Sequence, residues 1–426
     1  MLRSLIVVGA QWGDEGKGKI TNYLSEHADI VVRYQGGNNA GHSVKFNGRE
    51  FHLQTIPSGI FNAKTLNIIG NGMVVNPLAL YSEMKGLIEV GFDCKNLVIS
   101  SRANLDLEYH LALDGLKEAY LADKKIGTTK KGIGPCYTDK ISRDGIRFSD
   151  FIRDDFDEIY KAHLIEKNKE IIKYSGEPID INASIKKYNE VKEILKPLVK
   201  DNVSLLAKAK KDNKKILFEG AQGAMLDVDF GTYPYVTSSN TTSGGAISGS
   251  GIGLGYIEGC LGIVKAYTTR VGEGPFVTEQ NNDFGNMIRD KAHEYGVVTH
   301  RPRRVGYLDL VQLEFSRNVN GFNYIALMLL DILGNVNEIK VCIAYKLDGK
   351  VIDYYPSDLD ELARVEPVYK TFASWQEDIS KCKKFSDLPS EAKNYVKFIE
   401  NYLNVKAAII SVGPSKEQTI IREEIF

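Results

Sequence analysis

A chain of 426 residues with 43% hydrophobic and 26% charged residues, 39 glycines and 12 prolines can bury a sizeable globular core, which excludes collagen-like, disordered and coiled-coil classes. Its 54 Lys and Arg against 55 Asp and Glu leave a net charge of -1, so no global field draws it to nucleic acid or anionic lipid, and any anion site must be a local concentration of positive charge. The five cysteines, Cys94, Cys136, Cys260, Cys342 and Cys382, contain no CxxC pair and suggest neither a zinc site nor a disulfide framework. The run LIVVGA after Arg3 is too short for a signal peptide, and Asp331, Glu258 and Lys265 interrupt the longest apolar windows, so a cytoplasmic protein with no membrane span is expected.

In chain order, Leu5 to Val8 predicts a strand that meets a glycine-rich turn, with Ile20, Tyr23 and Leu24 following at helical spacing. A second strand, Asp29 to Tyr34, runs into the loop GGNNAGHS. Further strands are expected at Leu66 to Ile69 and Leu97 to Ile99, with a helix from Pro77 to Val90 between them. The alternation implies an α/β fold: one large domain over residues 1–426 with a central, mostly parallel sheet flanked by helices. From about 149 to 213 the sequence is rich in Lys, Glu and Asp with apolar residues at helical intervals, which predicts a helical insertion. Strands resume at Lys215 to Glu219, Gly262 to Tyr267, Tyr324 to Leu330 and Glu338 to Tyr345; the glycine- and serine-rich stretch Ser238 to Gly255 predicts a loop whose end, Gly249 to Gly255, needs to be no more than a flexible turn.

Four loops carry the chemistry. In GAQWGDEGKGKI, Gly13, Gly18 and Lys19 satisfy GxxxxGK between a predicted strand and helix, a P-loop-like arrangement that turns main-chain N–H groups toward a phosphate. The next residue is Ile20 where a Ser or Thr hydroxyl usually binds Mg²⁺, so Asp14 is the nearest hard oxygen ligand. His42 sits beside Asn39 and Gly41, which suit close backbone approach to a ligand, whereas nothing local makes His27, His52, His110, His163 or His293 more than solvated or packed. The segment IGTTKKGIGPCYTDKISR joins Thr128, Thr129 and two lysines to glycines and ends at Arg143, equally consistent with a monophosphate site and with a plain surface loop. The three arginines of RPRR, Arg301, Arg303 and Arg304, match planar capture of carboxylates or phosphates and lack the interleaved aromatics of a nucleic-acid patch.

Together these segments resemble the adenylosuccinate synthetase family from QWGDEGKGK at Gln11 to SVGP at Ser411, through RYQGGNNAGH, IPSGI, IGNGMV, IGTTKKGIGP, FEGAQG, GTYPYVTSSNTT, RVGEGPF and HRPRRVGYLD. The resemblance implies a homodimer that converts GTP, IMP and L-aspartate to adenylosuccinate, GDP and phosphate through 6-phosphoryl-IMP, with one Mg²⁺ per subunit. It makes Asp14 the general base and His42 the general acid, and assigns Mg²⁺ to Asp14 and the Gly41 carbonyl. GTP falls to Gly13, Glu15, Gly16, Lys17, Gly18, Lys19, Gly41, His42, Ser43, Arg303, Asp331, Ser411, Val412 and Gly413, with Asp331 reading guanine. IMP and aspartate fall to Asp14, Lys17, Asn39, Ala40, Gly41, His42, Thr129, Arg143 supplied across the dimer, Gln222, Thr237, Val271, Thr299, Arg301 and Arg303. The chain departs from the family pattern at Leu329, where lysine is common, at His300, usually glycine, and at Val277, usually proline. A GTP-binding switch or a structural nucleotide module would share the phosphate loop and Asp331 but would have no evident use for Asp14 and His42.

Overall fold

The computed structural model describes residues 1–46, 49–121, 127–295 and 302–426. In chain order the central strands are β1 (Ser4–Gly9), β2 (Ile30–Arg33), β3 (Leu66–Ile69), β4 (Leu97–Ser100), β5 (Val199–Lys200), β6 (Ile216–Glu219), β7 (Gly259–Lys265), β8 (Tyr324–Met328), β9 (Lys406–Ser411) and β10 (Thr419–Ile421). Across the sheet they lie in the order β10, β9, β8, β7, β1, β6, β2, β3, β4, β5. Every neighbouring pair is parallel except β9 and β10.

The strands read as near-continuous apolar runs because both faces are covered. On β1, Leu5 and Val7 face helix α1 (Lys17–Ser25), where they pack with Ile20 and Leu24; Ile6 and Val8 face the opposite core, which includes Leu310 and Leu313 of the helix Leu310–Asn320. Each such fully buried aliphatic side chain contributes about 1.5–3 kcal/mol. The chain runs outward from β1 through β2, β3, β4 and β5, returns at β6 and crosses β1 to β7, β8, β9 and β10, so the strand order reverses at β1, and the loops after the carboxyl ends of β1, β2 and β6 converge there. A crevice at the strand carboxyl ends beside such a reversal of order is where open α/β sheets hold ligands.

Three expectations are revised. The segment predicted at Glu338 to Tyr345 is a strand, Ile339–Leu347, but it pairs with Leu308–Asp309, Lys350–Ile352 and Glu366–Phe372 in a separate sheet. Residues 149–213 contain the helices Phe156–Lys173, Ile181–Leu195 and Asn202–Lys211, yet β5 lies among them and joins the edge of the central sheet against β4. The stretch Ser238 to Gly255 is not simply a loop: Ser243–Ser250 is helical. Its Gly249 lies so close to β2's continuation that a Cβ there would stand 2.0 Å from the Tyr34 carbonyl oxygen, so glycine is required by packing.

Candidate active site

The loop between β1 and α1 is organised around a buried carboxylate. Glu15, fully buried, accepts the main-chain N–H groups of Gln11 (3.0 Å) and Gly13 (2.9 Å) through Oε1 and pairs with Lys17 Nζ at 2.6 Å through Oε2. Gly16, at φ 85°, makes the left-handed step into the helix that a side chain would resist. Asp14 is itself left-handed (φ 58°), and its side chain is 42% exposed toward the cavity, with Arg303 Nε 3.2 Å from its Oδ2. Lys19 turns away from this anion cradle: its ammonium donates to Ser411 Oγ (2.8 Å) and to the carbonyls of Gly413 (2.9 Å) and Gln418 (3.0 Å). Burial lowers its pKa to about 8, against the opposing charges of Asp331 and Glu417.

The second loop leaves β2 and returns as the hairpin strand His42–Phe46, which pairs with Arg49–Leu53, so His42 opens a strand rather than ending a loop. Its Nδ1 lies 2.7 Å from Oε1 of Glu219 at the end of β6. The carboxylate accepts there, leaving the buried Nε2 without a protein partner. Burial lowers the His42 pKa, and the Glu219 charge and hydrogen bond only partly counter it. Burial would raise Glu219, but the charge and hydrogen bond of His42, with Arg33 and the Ser58 N–H at 2.8 Å, hold it below the usual carboxylate range. Asn39 Oδ1 accepts from Gln222 Nε2 at 3.2 Å, which ties the His42 loop to the loop after β6.

A cavity of about 850 Å³ gathers these pieces. From the phosphate loop it is lined by Gly13, Asp14, Gly16, Lys17, Gly18 and Lys19, and from the second loop by Asn39, Ala40, Gly41 and His42. Thr129, Gln222, Thr237, Val271 and Arg303 complete the sequence-predicted set on its wall. Glu15 lies behind the wall. Arg143, the exposed left-handed C-cap (φ 70°) of the helix Ile133–Ser142, is not among the described residues lining this cavity. Thr299, His300 and Arg301 lie outside the described residues, as does the side chain of Ser43.

The corner expected to hold guanine lies past Lys19. Asp331 follows β8, its Oδ1 buried without a hydrogen-bond partner, and burial raises its pKa despite the nearby charges of Lys19 and Lys291. Ser411, at the end of β9, with Val412 and Gly413, faces it across the Lys19 ammonium. Leu329 takes a left-handed conformation (φ 60°) and packs against both faces of the sheet core, the apolar contact expected where the family's lysine is missing. Val277 packs in a small cluster with Tyr345 and Cys342.

Two groups of side chains around the site were not singled out from the sequence. Glu219 lies inside FEGAQG at the end of a buried strand, and the buried trio Lys265, Tyr267 and Glu294 stands behind Arg303, Lys265 at the end of β7 and the other two in loops. A charge in a strand buried on both faces, as in ILFE and GCLGIVK, was the available signal.

Comparison with known proteins places the chain in a family. The family described as adenylosuccinate synthetase matches residues 6–420. Adenylosuccinate synthetase of Ligilactobacillus salivarius is 48% identical, covering 100% of this chain and 99% of that protein. That of Limosilactobacillus reuteri is 50% identical over 99% of this chain and 98% of that protein. Among solved structures, fully ligated adenylosuccinate synthetase from Plasmodium falciparum superposes with a TM-score of 0.94 at 39% identity, covering 99% of this chain and 100% of that one. Cyanophage S-2L succinoaminodeoxyadenylate synthetase, bound to dGMP and dATP, shares the fold with a TM-score of 0.61 at 18% identity, over 100% of this chain and 96% of that one. The chain belongs to the adenylosuccinate synthetase family, GTP-dependent ligases that form the C–N bond between IMP and L-aspartate.

Proposed function

We propose that the ligation proceeds in two steps within the 850 Å³ cavity, with Asp14 and His42 as its base and acid. The C6 oxygen of IMP is a poor leaving group, so the aspartate amine cannot displace it directly. Asp14 takes the proton from N1 of IMP, O6 attacks the γ-phosphorus of GTP, and GDP departs, leaving 6-phosphoryl-IMP. The amine then attacks C6, and phosphate leaves with the former O6. The observation that carries this reading is the pairing of two unlike groups on one wall: an exposed carboxylate in a strained loop, and a buried imidazole whose free Nε2 is backed by Glu219. Burial disfavours the charged form of His42. Arrival of the triphosphate adds negative charge that draws a proton onto Nε2, which then donates to phosphoryl oxygens as charge develops.

Lys17 and the loop amides receive the phosphates; Asn39, Thr129, Gln222, Thr237 and Val271 receive IMP; Thr299, Arg301 and Arg303 receive aspartate. Asp331 accepts from guanine N1 and the exocyclic amine, with Ser411, Val412 and Gly413 around it. The donor set fits Mg²⁺: Asp14 offers a solvent-open carboxylate oxygen, and Gly41 is an exposed main-chain position on the cavity wall with no atom within 4 Å of where a Cβ would be. When bound, Mg²⁺ supplies positive charge that offsets the phosphates. The working compartment of this reading is the cytoplasm, and no described helix is long and apolar enough to cross a membrane.

The chemistry is tested with IMP carrying ¹⁸O at C6, GTP, Mg²⁺ and aspartate. One labelled oxygen is expected in the phosphate released; label appearing in water instead rejects the phosphorylated intermediate.

The same reading places Arg143 in the partner's site in a homodimer, in keeping with its absence from the described wall of its own cavity. Arg143→Leu and Asp14→Asn should each be nearly inactive. Mixed and allowed to exchange subunits in equal amounts, they should recover about a quarter of wild-type activity, since about half the dimers carry one intact site of two. No recovery after verified exchange removes Arg143 from the shared site.

A further inference from the structure

Behind Arg303 stands a closed ring of polar contacts that the steps above do not use. Gln11, at the start of the phosphate loop, is plugged into the main chain beyond β7. Its Oε1 accepts the Lys265 N–H (2.9 Å) and its Nε2 donates to the Tyr267 carbonyl (3.0 Å). The side chains of those same two residues meet on one carboxylate oxygen: Lys265 Nζ (2.7 Å) and Tyr267 OH (2.6 Å) both donate to Glu294 Oε1. Glu294 Oε2 accepts from Arg303 Nη1 at 2.6 Å, and the Arg303 N–H donates to the Glu294 carbonyl at 2.9 Å. Arg303 closes the ring on the phosphate loop, its buried Nε 3.2 Å from Asp14 Oδ2 without a hydrogen bond, while the side chain, 18% exposed, lines the cavity.

Lys265 is 1% exposed and Glu294 3%. A pair buried this deeply gives a fold little that well-packed apolar side chains would not, because desolvation offsets the attraction. Its placement has a different use. A guanidinium on a free side chain must be ordered before it can grip an anion, whereas one already held along one edge presents the other without that cost.

We propose that Lys265 and Glu294 are positioning residues for the ligation. They hold Arg303 at the mouth of the phosphate loop so that its guanidinium, on the cavity wall, meets the carboxylate of the incoming aspartate beside Asp14. This rests on the reading of Arg303 as an aspartate-binding residue. Through Gln11, the same ring fixes Arg303 relative to the phosphate loop, so the amino acid and the phosphates are registered against one another by a single set of contacts.

The test is steady-state kinetics of the full-length protein with each co-substrate varied in turn, for Glu294→Gln, Arg303→Leu and the double variant. Glu294→Gln is expected to raise the KM for aspartate about tenfold or more, the loss of one charge-assisted hydrogen bond, with the KM for IMP within about twofold of wild type. On top of Arg303→Leu it should add nothing, because it acts only through that residue. A purely structural role would lower kcat with the active fraction and leave every KM in place, which overturns the proposal, as does additivity of the two substitutions. If Arg303→Leu leaves the aspartate KM unchanged, the reading of Arg303 fails and the proposal with it; if only Glu294→Gln is silent, that reading stands and the positioning role falls. Should Glu294→Gln strand Lys265 and unfold, Tyr267→Phe removes a single donor and is expected to raise the same KM by about two- to fivefold; an unchanged KM in that variant overturns the proposal equally.

Discussion

Around the phosphate loop, Glu219 is buried against the His42 imidazole and near the Arg33 guanidinium, and Glu294 against the Lys265 and Arg303 side chains. Burial pushes both carboxylates up, and the neighbouring charges bring both below the usual range. In the corner proposed for guanine, Asp331 is half-buried with one buried oxygen that has no hydrogen-bond partner, and its pKa is raised, with Lys19 and Lys291 only partly offsetting the burial. The carboxylates beside the phosphate loop thus have their charge offset by the protein itself, while in the corner proposed for guanine a buried carboxylate oxygen has no protein partner. Preorganisation suits groups that must be aimed at a developing charge. An unsatisfied acceptor suits discrimination, because a base unable to donate leaves the cost of burial uncompensated.

The sharpest way to break the contrast is at its exposed member. Asp14→Asn keeps the size and polarity of the side chain and, at φ 58°, a residue type that tolerates the left-handed region, but it cannot take a proton. Loss of a general base costs about a hundred- to ten-thousandfold in rate, with IMP binding expected to survive far better than kcat. Near-normal kcat in the Asn variant, measured at saturating substrates, would confine Asp14 to the metal and the loop geometry.

At the other end, Asp331→Asn replaces a double acceptor by one acceptor and one donor. Losing a charge-assisted contact at a buried site is worth roughly 1.5–3 kcal/mol, or about a 10- to 150-fold rise in the KM for GTP. The aspartate KM should barely move. Comparing GTP with ITP and ATP reads the specificity directly: unchanged preference in the variant places guanine recognition elsewhere, with the main chain around the left-handed Leu329 the first place to look.

How much of this was legible in the sequence follows from what is locally encoded. Leu5 to Val8, Leu66 to Ile69 and Leu97 to Ile99 declared themselves as buried parallel strands because an apolar β-branched run between turns has few other uses. The two-residue β5 has too few residues to show any period, and membership of Ile339–Leu347 in a second sheet depends on partners far along the chain. The helix SGGAISGS reads as loop because its glycines and serines are poor helix formers; they are there to let Gly249 touch the Tyr34 carbonyl. In the site, Asp14 and His42 announced themselves through neighbouring glycines and amides. The buried carboxylates Glu15, Glu219 and Glu294 hold Lys17, His42 and Arg303 in place, a role visible only once the fold brings each pair together.

Asp309 sharpens the contrast among buried carboxylates, because among the described residues it has donors but no cation beside it. It caps the helix Leu310–Asn320, accepting the Gln312 N–H at 3.1 Å and the Tyr345 hydroxyl at 2.6 Å, and burial raises its pKa to about 6 in spite of both. An unfolded aspartate titrates near ~3.9, so between that pH and about 6 the folded chain holds a proton that the unfolded chain has lost. The stabilisation this gives is complete below pH ~4 and disappears as pH rises through the folded value, on the order of 1–3 kcal/mol in all. Asp309→Asn keeps a good cap and cannot ionise. Urea unfolding of both proteins across pH 4 to 7 should therefore show the variant gaining on the wild type as pH rises, with the difference levelling off above about pH 6. A difference that stays flat across the range would mean Asp309 is ionised in the fold. Burial with donors alone would then suffice to hold a carboxylate charged, and the cations beside Glu219 and Glu294 would owe their places to the reaction rather than to the need to neutralise those charges.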